Sequence, residues 1–133
     1  DEGFEEIEAL APVDLLRRAG IQVDLIGASN QTEVTGRSGV TIKGTIPMKD
    51  YDFSQIDSLM LPGGGHYVKL EANPKVKEEI LKAYNNPDVI LAAICASPTI
   101  LGRMGPFAKH SLDKTGNRKL KNPFIISPAQ TAF

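Results

Sequence analysis

The chain contains a single cysteine, Cys95. An intrachain disulfide framework is thereby excluded, and the thiol is left to packing, metal binding or reactivity. An excess of one charge is also lacking: 15 Lys and Arg stand against 16 Asp and Glu, for a net charge of −1. No basic surface for nucleic acid follows from this, and no nucleic-acid partner is expected. Long apolar runs are missing too. The longest, Val89 to Ala96, is far too short to span a bilayer. No charged-then-apolar leader opens the sequence, so the expectation is a cytoplasmic protein without a membrane partner. The two histidines and one cysteine show no ligand spacing, so neither a metal nor a cofactor is expected. What remains is ordinary: 41% apolar and 23% charged residues over 133, enough for one domain with a real core.

Helical and extended patterns alternate along the chain. Apolar residues at Ile7, Leu10, Ala11, Leu15 and Leu16 predict a helix over Glu5 to Arg18, closed by Gly20 and kinked or split at Pro12. Ile21 to Gly27 alternates like an outer strand, and Glu33 to Ile46 fits a small hairpin-like excursion. Asp57 to Leu61 reads as a buried strand running into Pro62-Gly63-Gly64-Gly65. A polar helix follows from Asn73, with Pro74 in its first position and Val76, Ile80 and Tyr84 as its stripe. The continuous apolar run Val89 to Ile94 reads as a fully buried parallel strand, Ser97 to Met104 as a short helix, and Asn122 to Ser127 as one more strand. Strand and helix in alternation predict an α/β doubly wound domain with a mostly parallel sheet, whose sites lie at the carboxyl ends of the strands. Asp1-Glu2-Gly3 reads as a loop leaving a strand, Ser127 onward as the start of a helix, and residues 104–122 lose any period. The expectation is a single domain over 1–133, with its first strand and last helix absent and segments omitted around 104–122.

Three stretches carry chemistry. Cys95 falls between a buried strand and a helix start, the sharp turn that holds a nucleophile above a sheet, although the Gly-x-Ser-x-Gly elbow is not matched. Backbone N–H groups and the helix dipole there favour a thiolate, while a simple packing thiol fits the same place. Ser97 before Pro98 reads as the helix N-cap. The run Leu61-Pro-Gly-Gly-Gly-His66 is neither a phosphate loop nor a dinucleotide fingerprint. It is either a turn needing positive φ or a set of backbone N–H groups able to approach a reacting atom. In Gly3-Phe-Glu-Glu-Ile-Glu8, the carboxylates of Glu2, Glu5 and Glu6 answer the helix dipole. Glu8 differs, because it falls at the buried edge of the stripe, where a carboxyl loses water and its pKa rises. His66 and His110 read as solvated loop histidines.

Taken together, Gly3-Phe-Glu-Glu-Ile-Glu8, the Pro12 to Gly20 block, Leu61-Pro-Gly-Gly64 and Ala92-Ala-Ile-Cys-Ala-x-Pro-Thr99 resemble the ThiJ/PfpI superfamily, in the branch of the Parkinson-disease protein DJ-one. The blocks occur in the family's order and cover most of residues 1 to 100. The resemblance implies a flavodoxin-like sandwich, usually a homodimer, with Cys95 as the elbow nucleophile and Glu8 as the protonated carboxyl bound to its thiolate. It also implies an anion pocket formed by the N–H groups of Gly64 and Ala96, with Arg18 and Arg37 near the dimer interface. His110 matches the downstream histidine of that branch. Ala96 stands where the peptidase-like branch has histidine, which argues against a Cys-His peptidase, and Ser97 replaces a common glycine. Glyoxalase or deglycase chemistry on a small aldehyde is implied. Oxidation of the same cysteine, in a stress sensor or redox-regulated chaperone, is the alternative.

Overall fold

The computed structural model describes residues 1–104 and the backbone of residues 123–126. The first helix, α1 (Glu6–Arg18), is capped by the Glu5 carboxylate, which accepts from the Glu8 N–H at 2.9 Å. Acidic side chains in its first turn and Arg17 and Arg18 in its last match the helix dipole. It ends where Gly20 turns left-handed at φ +81°, with Gly20 N–H donating to Arg17 O and Ile21 N–H to Leu16 O, both at 3.0 Å. These paired bonds are a Schellman stop, which glycine enters without a Cβ clash. Pro12 lies inside one continuous helix rather than between two short ones. Its missing N–H deletes one bond of a ladder that is anchored by a cap at each end.

The buried side of α1 also differs from expectation. Ala9 is buried, and Pro12, Val13 and Leu16 line a cleft of about 520 Å³ against residues 21–26 and the strand ending at Leu61. Ile7 and Leu15 are instead 74% and 64% exposed, with Ala11 exposed between them. Both sets have helical spacing, so periodicity alone does not choose the face that meets the sheet.

Of the outer strand expected over Ile21 to Gly27, the described residues form β1 (Ile26–Gly27), which pairs in parallel with β4 (Ile46–Pro47). Between them β2 (Glu33–Thr35) and β3 (Thr41–Lys43) form the antiparallel hairpin. The main sheet runs in the order β5 (Ser58–Leu61), β6 (Ile90–Ile94), β7 (Pro123–Ile126), all parallel. α2 (Tyr67–Ala72), which sequence patterning misses, and α3 (Pro74–Asn85) cross from β5 to β6, and α4 (Pro98–Arg103) follows β6. Asn73 caps α3 through Lys75 and Val76 N–H. Val76, Ile80 and Ala83 of α3 pack with Leu91 and Ala93 of β6 and with Ile100 and Leu101 of α4. β6 is not buried on both faces: Leu91 and Ala93 point into this core, whereas Ile90 is 52% exposed. β5 is likewise buried only at Leu61. Among the described residues, no helix is long and apolar enough to cross a membrane.

Candidate active site

Cys95 lies at the carboxyl end of β6, between Ile94 and the start of α4 at Pro98. Its backbone is left-handed, φ +61°, a conformation that non-glycine residues rarely adopt. Such strain is retained where the surroundings hold it, and functional sites are where it clusters. The turn throws the thiol outward, so the free cysteine is exposed rather than packed. Parallel pairing of Leu61 with Ala93 sets the ends of β5 and β6 side by side, which brings Pro62 and Gly63 beside the elbow.

The start of α1 closes the third side. Glu5 N–H donates to Gly63 O at 2.9 Å, and Phe4 bridges Gly64 in antiparallel fashion. One helical turn on, Glu8 Oε2 accepts the Gly63 N–H at 2.9 Å. A Cβ placed on Gly63 would clash with Glu8 Oε2 and would lie 2.5 Å from Cys95 Cβ and 3.1 Å from its Sγ. The Glu8 carboxyl and the thiol therefore flank the space of a single missing methyl group. Any side chain at position 63 would fill that space. Gly64 is left-handed at φ +100°, and a Cβ there would strike the backbone of Gly3, Phe4 and Glu5. Among the described residues, neither the Gly64 nor the Ala96 N–H has an acceptor, so both remain available to an anion.

Two polar residues behave differently from their sequence reading. Ser97 occupies the N-cap position of α4 but makes no cap bond. Its side chain is fully buried and its hydroxyl donates to Pro62 O at 2.6 Å. His66 is no solvated loop residue: it is 2% exposed, with Nε2 2.9 Å from the same Pro62 O. A carbonyl only accepts, so Nε2 carries the proton. Burial pushes the His66 pKa down to about 4, which keeps the ring neutral, and among the described residues Nδ1 has no partner. Glycine-rich surroundings hide this in the sequence, where nothing foretells that His66 is the N-cap residue of helix α2.

The other acidic residues anchor the hairpin. Glu5 serves the helix end as expected, but Glu6 reaches across to Ser38 N and Oγ at 2.7 and 2.5 Å, and the Ser38 hydroxyl holds its pKa below the usual carboxylate value. Glu2 accepts from Thr35 N–H at 3.0 Å. The same hairpin loop carries Arg37, whose N–H donates to Phe4 O at 2.8 Å and whose side chain is exposed beside the start of α1. Arg18 is exposed in the last turn of α1, paired with Asp14 at 3.6 Å. The helix rise puts it about 15 Å along the axis from Glu8, away from Cys95 of its own chain. His110 lies outside the described residues.

These features define a class: a parallel α/β sheet with a strained cysteine at a strand-to-helix elbow and a carboxyl delivered beside it by a neighbouring helix. Comparison with known proteins gives the family. The DJ-1/PfpI family profile matches residues 1–124. The Parkinson disease protein 7 homolog of Danio rerio is 38% identical over 101 residues, covering 74% of this chain and 53% of the relative. The glutathione-independent glyoxalase DJR-1.2 of Caenorhabditis elegans is 35% identical over 135 residues, covering 95% and 72%. The crystal structure of Drosophila melanogaster DJ-1beta superposes with a TM-score of 0.73 at 30% identity, covering 78% of this chain and 56% of that one. The chain thus spans little more than half the length of several relatives that it matches. It belongs to the DJ-1/PfpI family, and its fold is flavodoxin-like.

Proposed function

We propose that the chain is a cysteine-dependent enzyme of the glyoxalase or deglycase type, which acts on 2-oxoaldehydes or their protein adducts with Cys95 as nucleophile and Glu8 as proton carrier. The observation that carries this reading is the exposed, left-handed Cys95 with the Glu8 carboxyl across Gly63. A relative named as a glutathione-independent glyoxalase supports the substrate class. With methylglyoxal, the Cys95 thiolate adds to the aldehyde carbon, and the new oxyanion sits on the Gly64 and Ala96 N–H groups. Protonation by Glu8 gives the hemithioacetal. The Glu8 carboxylate then takes the proton from the former aldehyde carbon and returns it to the neighbouring carbon, through an enediol, leaving a thioester. Water hydrolyses the thioester, releasing lactate and the free thiol, so the net reaction is methylglyoxal plus water to lactate. The expected result is lactate formation without added glutathione and a loss of at least about 100-fold in Cys95→Ser. Undiminished activity in Cys95→Ser would overturn the reading.

A second reading uses the same thiol as an oxidative-stress sensor or redox-regulated chaperone. It rests on Cys95 being exposed and the only cysteine in the sequence, so no thiol of the same chain can resolve a sulfenate. Thiolate attack on one peroxide gives sulfenate and water, and a second peroxide gives sulfinate, held by the Glu8 proton and the two free amides. Mild peroxide should add two oxygens to Cys95 by mass spectrometry, and Glu8→Leu should drive the product on to sulfonate. An unmodified thiol after peroxide would sink this alternative.

In either case the expected assembly is a homodimer. The exposed Ile7, Ala11 and Leu15 form one apolar stripe on α1, with Arg18 at one end and Arg37 on the adjoining hairpin.

A further inference from the structure

The Pro62–Gly63 peptide is held from both sides. Its oxygen accepts from two buried donors, the Ser97 hydroxyl at 2.6 Å and His66 Nε2–H at 2.9 Å. Its N–H, on the opposite edge of the same planar unit, donates to Glu8 Oε2 at 2.9 Å. Glu8 Oε2 is thereby committed as an acceptor. If the carboxyl carries a proton, that proton sits on the other oxygen, Oε1. A rotation of this peptide would turn a carbonyl oxygen toward Glu8 and repel its carboxylate.

We infer that Ser97 and His66 are positioning residues for Cys95: by clamping the Pro62 carbonyl, they aim the Gly63 N–H at Glu8 and so fix which carboxyl oxygen shares its proton with the thiolate. The inference rests on the Glu8–Cys95 pairing proposed above. Ser97 makes no cap bond and His66 lies at the start of α2, so the acceptor that the two side chains share is the Pro62 carbonyl. His66 Nδ1 is buried and without a partner among the described residues, so the bond that the ring does make is the one to the Pro62 carbonyl. Two donors on one carbonyl give the clamp redundancy, so loss of one loosens the peptide and loss of both frees it.

The test is the pH dependence of Cys95 alkylation by iodoacetamide in the full chain, with circular dichroism as the check on folding. Wild type is compared with Glu8→Gln, Ser97→Ala, His66→Leu, the double variant Ser97→Ala/His66→Leu, and the donor-keeping variants Ser97→Thr and His66→Gln. The expected result is a thiol midpoint raised by roughly half a unit in each single clamp variant and by about one unit in the double, as the loss of one or two modest hydrogen bonds implies. Ser97→Thr and His66→Gln should titrate near wild type. A purely structural role would lower the unfolding midpoint without moving the thiol titration. If Glu8→Gln shifts the titration while the clamp variants do not, the clamp is wrong and the Glu8–Cys95 pair stands. If Glu8→Gln itself leaves the thiol unmoved, the pair falls and the clamp falls with it. Should one single variant fail to fold, the other reports on the same carbonyl.

Discussion

At Cys95 the chain accepts a conformation that favours glycine and keeps a side chain there. Left-handed backbone costs an L-residue about 1–2 kcal/mol, so Cys95→Gly should unfold at higher denaturant than Cys95→Ala, by about 1 kcal/mol in urea titrations. Equal stability of the two variants would show that the elbow is unstrained. Gly63 makes the complementary demand. Its φ is unexceptional, but no side chain fits between Glu8 and Cys95, so Gly63→Ala should lower Cys95 reactivity toward alkylating agents or aldehydes by about tenfold or more while leaving the secondary structure intact. His66 links this neighbourhood to pH. Its folded pKa, about 4, lies below the unfolded value near 6.5, so the unfolded chain binds the proton more readily. The neutral ring's contribution is fully present above pH 6.5 and is lost as pH falls toward 4. His66→Gln should therefore be less stable than wild type at pH 7, with the gap narrowing or reversing at pH 4.5, as measured by urea midpoints. A gap independent of pH would mean that the ring titrates normally.

Elements are placed by a few identifiable bonds, and these separate what pattern could foresee from what it could not. The polar helix from Asn73 was legible because its cap, its N1 proline and its Val76 and Ile80 stripe all agree. The cap has a second role that no pattern reveals, since Asn73 Nδ2 donates to Ala28 O at 2.9 Å and ties α3 to the residue after β1. Asn73→Ala should cost about 1–2 kcal/mol, with Asn73→Asp in between because it keeps the cap and loses the tie; thermal denaturation distinguishes the three. Expectation failed where tertiary contact overrides local preference. Ile21 to Leu25 has the alternation of a strand, yet among the described residues only Leu25 O finds a backbone partner in Ile46 N–H, and Ile21 to Leu25 line the cleft. α2 was missed because Tyr67–Ala72 is a single short element between a glycine run and a proline-led helix, too short to establish a period.

For the molecule as a whole, α1 is the element with two jobs. One side supplies Ala9, Pro12, Val13 and Leu16 to the interior and the cleft, and the other leaves Ile7, Ala11 and Leu15 bare. An exposed apolar stripe of this kind marks an interaction surface, and the homodimer proposed above would cover it. Sedimentation should find two copies together in wild type and a single copy for Leu15→Glu; a monomeric wild type would refute that assembly. Much of the candidate site was readable before the fold, because chemistry-bearing residues lie at recognisable junctions: Cys95 between an apolar run and Ser97-Pro98, glycines after Leu61, and Glu8 at the edge of a helical stripe. Residue order and the properties of single side chains were enough for the alternation of strands and helices, the elbow and its candidate partners. Distance between segments remote in sequence is another matter. Only parallel pairing of β5 with β6 and the docking of α1 across their ends set Glu8, Gly63 and Cys95 together, buried His66 and turned Ser97 from a helix cap to the Pro62 carbonyl. Those outcomes depend on which faces pack and which polar groups find partners once water is excluded, and neither is encoded in any local stretch of the chain.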